Sequence, residues 1–165
     1  MKIKEVYESG MVRRWHQHPK MQLFNQNNAS HQWNAAMLLF GLHPDPSRDL
    51  VFHVLTHDCG ELKVGDLSRT SKDANPSMAA SHAAWENEQR IEMLGSGEVS
   101  LTDEDGDWLY LVDKLESVLH VLVYHRSLLK SPTWREQVSE IRDAAGRLDV
   151  LTEVDGLLGE FYDAG

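Results

Sequence analysis

Residues 55–61, with the sequence LTHDCGE, and the Gly65-Asp66-Leu67 run just after them are the stretch around which the chain is organised. An imidazole, His57, stands beside a carboxylate, Asp58, at the end of an apolar segment that begins at Leu50. Burying an ionised carboxylate costs several kcal/mol unless a cation or a metal ion compensates it. Two interpretations are open at this point: a helix end at which both side chains reach solvent, or a buried pair that binds a cation.

Outside this stretch, apolar residues recur at helical spacing and alternating strand patterns are almost absent. The sequence predicts helices at residues 11–15, 29–42, 46–58, 77–94, 131–146 and 149–162, and a long helix that begins after Thr102. His57 and Asp58 then end the inward stripe of the helix that starts at Pro46, while residues 68–76 form a polar loop. The fold prediction is all-α, a compact bundle of about six or seven helices, in one domain that spans residues 1–165.

Three further predictions concern the ends and the faces of particular helices. The Asn-rich run at residues 25–28 offers N-cap candidates for the helix at 29–42, whose apolar positions include Trp33, Met37 and Phe40. Thr102 followed by Asp103-Glu104-Asp105 is a strong helix start, because the hydroxyl can cap and the acids suit the positive end of the dipole. Val123 is predicted to face inward on the long helix that follows.

Composition narrows the class of protein. The net charge of −10 argues against a general binder of nucleic-acid polymers, although an anionic ligand is compatible with it if metal ions or a few Arg and Lys residues neutralise the ligand. No apolar run approaches the roughly 18 residues of a membrane span, and the charged N-terminus has no apolar signal-peptide core. The single cysteine, Cys59, excludes an internal disulfide framework. We therefore expect a cytoplasmic protein that acts without a membrane.

Polar residues that could bind a metal lie on three separate predicted helices: His31, His57–Asp58 and Asp113. Two imidazoles and two carboxylates suit Zn, Mn, Fe or Co better than Ca. Each site also has a plainer interpretation, since His31 could be an exposed first-turn residue and Asp113 could pair with Lys114 or Arg126.

In this order and local context, the residues resemble the HD-domain phosphohydrolases, and in particular their 5′-deoxynucleotidase branch. The motifs that carry the resemblance lie between about residues 11 and 125: Arg14-Trp15, His31 in NASHQ, HDCGE with Gly65-Asp66, Lys72, and Asp113 in LVDKL. The chain departs from the family pattern in two places. Gln32 follows His31 where glutamate is common, and His16-Gln17-His18 replaces more apolar residues after the Arg-Trp pair.

The resemblance implies a role for each matching position. One divalent transition metal (Zn, Co or Mn) would be ligated by His31, His57, Asp58 and Asp113, and additional Mg²⁺ could accompany a triphosphate. Glu61 and Asp66 would position or deprotonate the attacking water. The substrate would be held by Arg14 and Lys72 at the phosphate and by Trp15 at the sugar or base. Gln17 lies in the segment that departs from the family pattern, and its side chain could read an adenine edge by hydrogen bonding. Glu61 could instead be a solvated acid, Trp15 a core aromatic and Gln17 a merely exposed residue.

Two activities of this branch fit. The short chain and the 26 positions between His31 and His57 favour the compact bacteriophage type. That type is a dATP triphosphohydrolase, which converts dATP and water into deoxyadenosine and triphosphate during synthesis of 2-aminoadenine DNA, in the host cytoplasm. The alternative is a 5′-deoxynucleotidase acting on deoxynucleoside monophosphates, and a second alternative is an HD domain that binds a nucleotide or a partner without hydrolysis.

Relatives form dimers or larger rings, so the resemblance also implies a homo-oligomer, as a dimer or a hexamer. The apolar residues of the segment 148–162 could form the interface. Ordinary packing within one chain is the alternative role for that segment.

Overall fold

The protein is all-α within residues 1–95 and 101–163, which the computed structural model describes. These ranges contain nine α-helices: α1 (Ile3–Ser9), α2 (Asn28–Leu42), α3 (Arg48–Val54), α4 (Glu61–Val64), α5 (Arg69–Ala74), α6 (Pro76–Leu94), α7 (Asp103–His125), α8 (Pro132–Arg147) and α9 (Leu151–Asp163). A 3₁₀ helix, Arg126–Lys130, follows α7, and one isolated bridge joins Arg13 to Asn27. The all-α prediction is confirmed, while the expected number of six or seven helices is too low.

Short helices account for the difference. α1 covers a segment with no sequence signal, α4 follows the His57-Asp58 pair, and α5 lies where a polar loop was predicted. An isolated helix of four to seven residues is unstable in water, so such helices depend on tertiary packing that local sequence does not reveal. Here α1 packs against α4 and α6, and α5 packs against α6. Conversely, residues 11–15 form turns and the bridge, so the helix predicted there is wrong.

The long helices lie where the sequence places them, with one exception. The capping box at Thr102 is present, because its hydroxyl accepts from the Asp105 N–H while the Asp105 carboxylate accepts from the Thr102 N–H. The exception is α3, which begins at Arg48 instead of Pro46 and ends at Val54 instead of continuing to Asp58.

Burial divides the apolar positions of α2, and one predicted inward position on α7, Val123, is wrong. α2 buries its smaller apolar residues (Ala35, Ala36, Leu39 and Leu42), whereas Trp33, Met37 and Phe40 are exposed. On α7, Val123 is exposed although Val121 and Leu122 beside it are buried. Helical spacing finds an apolar stripe but does not say which neighbouring element covers it.

The chain divides into two compact units, and each is described by itself. Unit 1 comprises Met1–Gln32 and the described part of Leu55–Ser100. Its helix α6 packs against α1, α4 and α5, and its buried apolar residues include Met21, Met93 and Leu94. The start of α2 and the whole His57-Asp58 stretch belong to this unit.

Unit 2 comprises Trp33–Val54 and the described part of Leu101–Gly165. Its central helix is α7, which packs against α3, α8 and α9. The core of this unit is aliphatic and includes Leu50, Leu111, Leu115, Val118, Ile141 and Val154. None of the described helices of either unit combines the length and the apolar character needed to cross a bilayer.

Candidate metal centre

The His57-Asp58 pair lies in a series of turns, residues 55–60, between the end of α3 and the start of α4. Within these turns the Cys59 N–H donates to the Thr56 carbonyl at 3.1 Å, and the Glu61 N–H donates to the Asp58 carbonyl at 3.1 Å. The irregular backbone buries Asp58 and leaves His57 half-buried. The predicted placement on a helix is therefore wrong, and of the two interpretations left open the burial of Asp58 agrees with the buried pair.

His31 reaches the same place from the first turn of α2. Asn27 caps this helix, since its side-chain oxygen accepts from the Ser30 N–H at 2.9 Å, as the Asn-rich run predicts. The His31 side chain is completely buried, which rules out its interpretation as an exposed first-turn residue.

The two imidazoles and the Asp58 carboxylate converge within unit 1. The Nε2 atoms of His31 and His57 are 3.3 Å apart, His57 Nε2 is 3.3 Å from Asp58 Oδ1, and His31 Nε2 is 3.6 Å from Asp58 Oδ2. Two ligands at about 2.0–2.1 Å from a tetrahedral zinc ion are about 3.3 Å apart, so these separations fit a shared metal ion. The same spacing between the rings also allows a hydrogen bond, with one ring donating and the other accepting.

Asp113 belongs to unit 2. It lies half-buried in the middle of α7, where Lys114 Nζ donates to its Oδ2 at 2.7 Å. The predicted pairing with Lys114 is thus present, and the role of Asp113 as a fourth metal ligand stays a prediction.

Asp58 also forms an acidic cluster with Glu61 and Glu86. One carboxylate oxygen each from Asp58, Glu61 and Glu86 lies within 4.8 Å of the others, so this cluster could also hold a metal ion. Burial raises the pKa of Glu61 to about 8, with the charges of Asp58 and Asp66 adding to the effect. Burial and the charge of Asp58 raise the pKa of Glu86 to about 7. The cluster therefore favours a proton or a bound cation.

Glu86 has no sequence signal, because it lies in the middle of α6 with no motif around it. Glu86 can lie close to the turns at residues 55–60 because Gly60 packs directly against the backbone of α6 at Glu86. A Cβ at residue 60 would overlap the Glu86 carbonyl. A glycine at this position therefore lets α6 bring its carboxylate to the turns that carry Asp58.

Arg14 and Trp15 also lie at the site. Arg14 is largely buried and its Nη1 donates to Asp58 Oδ2 at 2.7 Å, a charge-assisted hydrogen bond. Trp15 is half-buried, its Nε1 donates to Gln26 Oε1 at 2.6 Å, and its φ of 62° is in the left-handed region. That conformation is unusual for a bulky residue and is common at functional sites. Arg14 thus pairs with a proposed metal ligand instead of projecting into solvent.

The remaining predicted residues lie farther from the imidazoles. Asp66 follows α4, half-buried and close enough to Glu61 to raise its pKa. Lys72 is exposed on α5, and its charge acts on Glu86. Gln17 is exposed in the turn after Trp15, which agrees with its plainer interpretation. Cys59 is buried, and burial raises the pKa of its thiol, so it is a packed side chain and not a nucleophile.

Sequence reasoning also missed Asn28. It is fully buried on α2, and its Nδ2 donates to Glu61 Oε2 at 2.7 Å. The only signal in the sequence was its place in the Asn-rich run, which suggested a helix cap and not a partner for a carboxylate.

Comparisons with protein-family models, with curated proteins and with solved structures found no match for the chain. The donor atoms that unit 1 brings together are therefore the basis for assigning a function.

Proposed function

We propose that the protein is a metal-dependent deoxynucleotide phosphohydrolase of the HD-domain type. One observation carries the proposal: the two histidine Nε2 atoms and the Asp58 carboxylate converge at 3.3–3.6 Å in a largely buried site. His31, His57 and Asp58 are the ligands we assign from unit 1, and Asp113 is the fourth ligand that the family resemblance implies. A mixed N/O donor set of this kind suits Zn²⁺, Co²⁺ or Mn²⁺.

A metal ion bound here would lower the pKa of a bound water and draw charge from phosphoryl oxygens. Glu61 is the residue we assign to exchange a proton with the attacking water. Its carboxyl group is buried, its Oε2 is held by Asn28, and its pKa of about 8 makes it a proton carrier near neutral pH. Asp66 raises that pKa and thereby supports the role.

The cluster of Asp58, Glu61 and Glu86 supports the expectation of additional Mg²⁺. Carboxylate oxygens are the ligands that Mg²⁺ prefers, and three of them lie within 4.8 Å of one another. Arg14 and Lys72 are the cations we assign to the substrate phosphates, with Trp15 beside the sugar or base. For Arg14 this requires that a phosphate oxygen compete with Asp58 for the guanidinium.

The preferred substrate is dATP, with deoxyadenosine and triphosphate as products, and deoxynucleoside monophosphates are the alternative. The test is to incubate the purified protein with Co²⁺ or Mn²⁺ and each dNTP and dNMP, and then to separate the products. Triphosphate released from dATP supports the first activity, and phosphate released from monophosphates alone supports the alternative.

The variant that tests the site is Asp58→Ala, with Asp49→Ala, an exposed position on α3, as its control. We expect Asp58→Ala to lower turnover at least about 100-fold, because changes even in the outer shell of a metal site commonly cost 10–100-fold. The control should retain the wild-type rate. Full activity of Asp58→Ala would show that the ligand assignment is wrong.

A non-hydrolytic binding domain is the second candidate, and one observation favours it. Two of the proposed ligands already have cationic partners from the chain itself, Arg14 for Asp58 and Lys114 for Asp113. Such pairs can compensate carboxylates without any metal. Metal bound in elemental analysis together with no turnover of any nucleotide would support this candidate.

We also propose that the protein is a homo-oligomer, and we assign the contact between copies to α2 instead of the 148–162 segment. In that segment Val150 and Val154 are buried within the chain, and the exposed Leu151 and Tyr162 are eleven residues apart. On α2, by contrast, Trp33, Met37 and Phe40 form an exposed stripe at i, i+4 and i+7. α2 contains no Asp, Glu, Lys or Arg, so in a chain with a net charge of −10 two copies can meet there with little repulsion. A second copy is therefore the occupant to which we commit.

The stripe exposes roughly 300 Å² if each side chain contributes about half of the 150–250 Å² that a large aromatic buries. A standard interface takes about 800 Å² from each partner, so neighbouring residues would have to form the rim. The molar mass measured by light scattering after size-exclusion chromatography tests the assignment of the contact to α2. Phe40→Glu should lower the mass to that of a monomer, while Tyr124→Glu, an exposed aromatic on α7, should leave it unchanged. An unaltered mass for Phe40→Glu would contradict the assignment.

A further inference from the structure

Two buried amide side chains flank His31 on α2. Asn28 and Gln32 are four residues apart and therefore lie on the same face of the helix, with His31 between them along the chain. Asn28 is completely buried and Gln32 nearly so. Most buried amides in proteins are hydrogen-bonded, and the partners of the Asn28 Nδ2 and of the Gln32 amide indicate what these side chains do.

Asn28 contacts the far end of the 55–61 stretch. Its Nδ2 donates to the Asp58 backbone carbonyl at 3.3 Å and to Glu61 Oε2 at 2.7 Å. One side chain therefore joins the helix that bears His31 both to the backbone of a proposed metal ligand and to the carboxylate that we assign to the water.

Gln32 contacts the near end of the same stretch. In the amide orientation that satisfies both neighbours, its nitrogen donates to the Leu55 carbonyl at 3.1 Å and its oxygen accepts from the Asp58 N–H at 3.1 Å. The opposite orientation would set oxygen against oxygen and nitrogen against N–H, which is unfavourable for both atoms.

Together the two amides take up both backbone groups of Asp58. Asn28 donates to its carbonyl and Gln32 accepts from its N–H, while Leu55, held by Gln32, begins the turns that carry His57. Residues 55–60 form turns between α3 and α4, and Gln32 links the backbone of these turns to α2 at Leu55 and at Asp58.

We infer that Asn28 and Gln32 are positioning residues that clamp the His57-Asp58 turns to the helix bearing His31, and so set the distances among the three ligands. This inference rests on the proposed function. It also gives a reason for the glutamine at position 32, where the family commonly has glutamate: an amide can donate to Leu55 and accept from Asp58 at once, whereas a carboxylate can only accept.

Co²⁺ binding is the test, because the visible spectrum of bound Co²⁺ reports both affinity and ligand geometry. Gln32→Met keeps the size of the side chain and removes both hydrogen bonds, and Asn28→Ala removes the other two. We expect each variant to bind Co²⁺ about 10–100-fold more weakly, the range typical for outer-shell partners of metal ligands, and to change the spectrum of the bound ion. Gln137→Met, which removes a buried amide from α8 in unit 2, is the matched control and should leave both unchanged.

The unfolding midpoint of each metal-free variant, followed by circular dichroism, separates positioning from general destabilisation. Affinities are compared only among folded samples, and if Gln32→Met does not fold, Asn28→Ala decides the question. If the wild-type protein binds Co²⁺ and both folded variants bind it with an affinity within twofold of the wild-type value, this inference is overturned while the proposed function stands. A wild-type protein that binds no Co²⁺ would overturn the proposed function and this inference with it.

Discussion

Replacing Glu86 with glutamine tests the electrostatics of the acidic cluster in the metal-free protein. Glu86 has an ordinary pKa of 4.5 and a folded-state pKa of about 7, raised by burial and by the charge of Asp58. Between these two values the folded protein binds more protons than the unfolded chain, so stability falls as pH rises through this window. Below pH 4.5 the group is neutral in both states and contributes no penalty.

The size of the effect follows from the shift. About 2.5 pH units at 1.36 kcal/mol per unit give an upper bound of about 3 kcal/mol by which ionisation of Glu86 destabilises the fold at pH 8. Glu86→Gln is neutral at every pH and nearly the same shape. We therefore expect it to exceed wild type by less than about 1 kcal/mol at pH 5 and by up to about 3 kcal/mol at pH 8. The larger difference corresponds to about 10 °C in the unfolding midpoint for a chain of this length.

Urea unfolding followed by tryptophan fluorescence, with a chelator present and at pH values from 5 to 8, measures this difference. Glu88→Gln, on the exposed side of the same helix, is the control and should follow the wild-type curve at every pH. If the free energies of unfolding of Glu86→Gln and wild type differed by the same amount at pH 5 and at pH 8, the Glu86 carboxyl group would titrate alike in the folded and unfolded states, and its raised pKa would be refuted.

Three further outcomes follow from the packing and the charges. Gly60→Ala should lower the free energy of unfolding by about 1–3 kcal/mol, because the added Cβ would overlap the backbone at Glu86. Gly156→Ala in α9 should be neutral or stabilising by up to about 1 kcal/mol, because its added Cβ would meet no atom within 4 Å. Chemical denaturation of both variants checks this, and equal effects of the two substitutions would contradict it. Thr102→Ala should lower the free energy of unfolding by about 1 kcal/mol through loss of the capping box, as measured by thermal unfolding, and an unchanged midpoint would be the opposing result. A saturating metal ion should reduce the fall in the free energy of unfolding between pH 5 and pH 8, since a cation beside Asp58 favours the ionised carboxylates. If this free energy depends on pH identically in chelator and in Mn²⁺, binding at the cluster of Asp58, Glu61 and Glu86 is excluded.

The sequence by itself determined the helical class and the long helices. In α2, α6, α7, α8 and α9 the signal is local, because apolar periodicity extends over three or more turns and is bounded by caps such as Asn27 and Thr102. The sequence also singled out His31, His57 and Asp58, since imidazoles and carboxylates in apolar surroundings need a partner whatever the fold.

Only the tertiary structure decided how those residues meet. The turns at residues 55–60 interrupt a pattern that reads as continuous helix, and short helices such as α4 and α5 depend on packing against α6. Glu86 joins the cluster through the close approach that Gly60 allows, a contact between residues far apart in the chain.

The same holds for the exposed and buried faces of α2. Periodicity does not distinguish the stripe of Trp33, Met37 and Phe40, which is exposed, from the face of Asn28 and Gln32, which is buried and polar. Local sequence sets the period of a helix, but the elements packed against it select the face that is removed from water. The polar residues on that face then pair with backbone groups of the neighbouring turns, and in this protein Asn28 and Gln32 pair with the carbonyl and the N–H of Asp58.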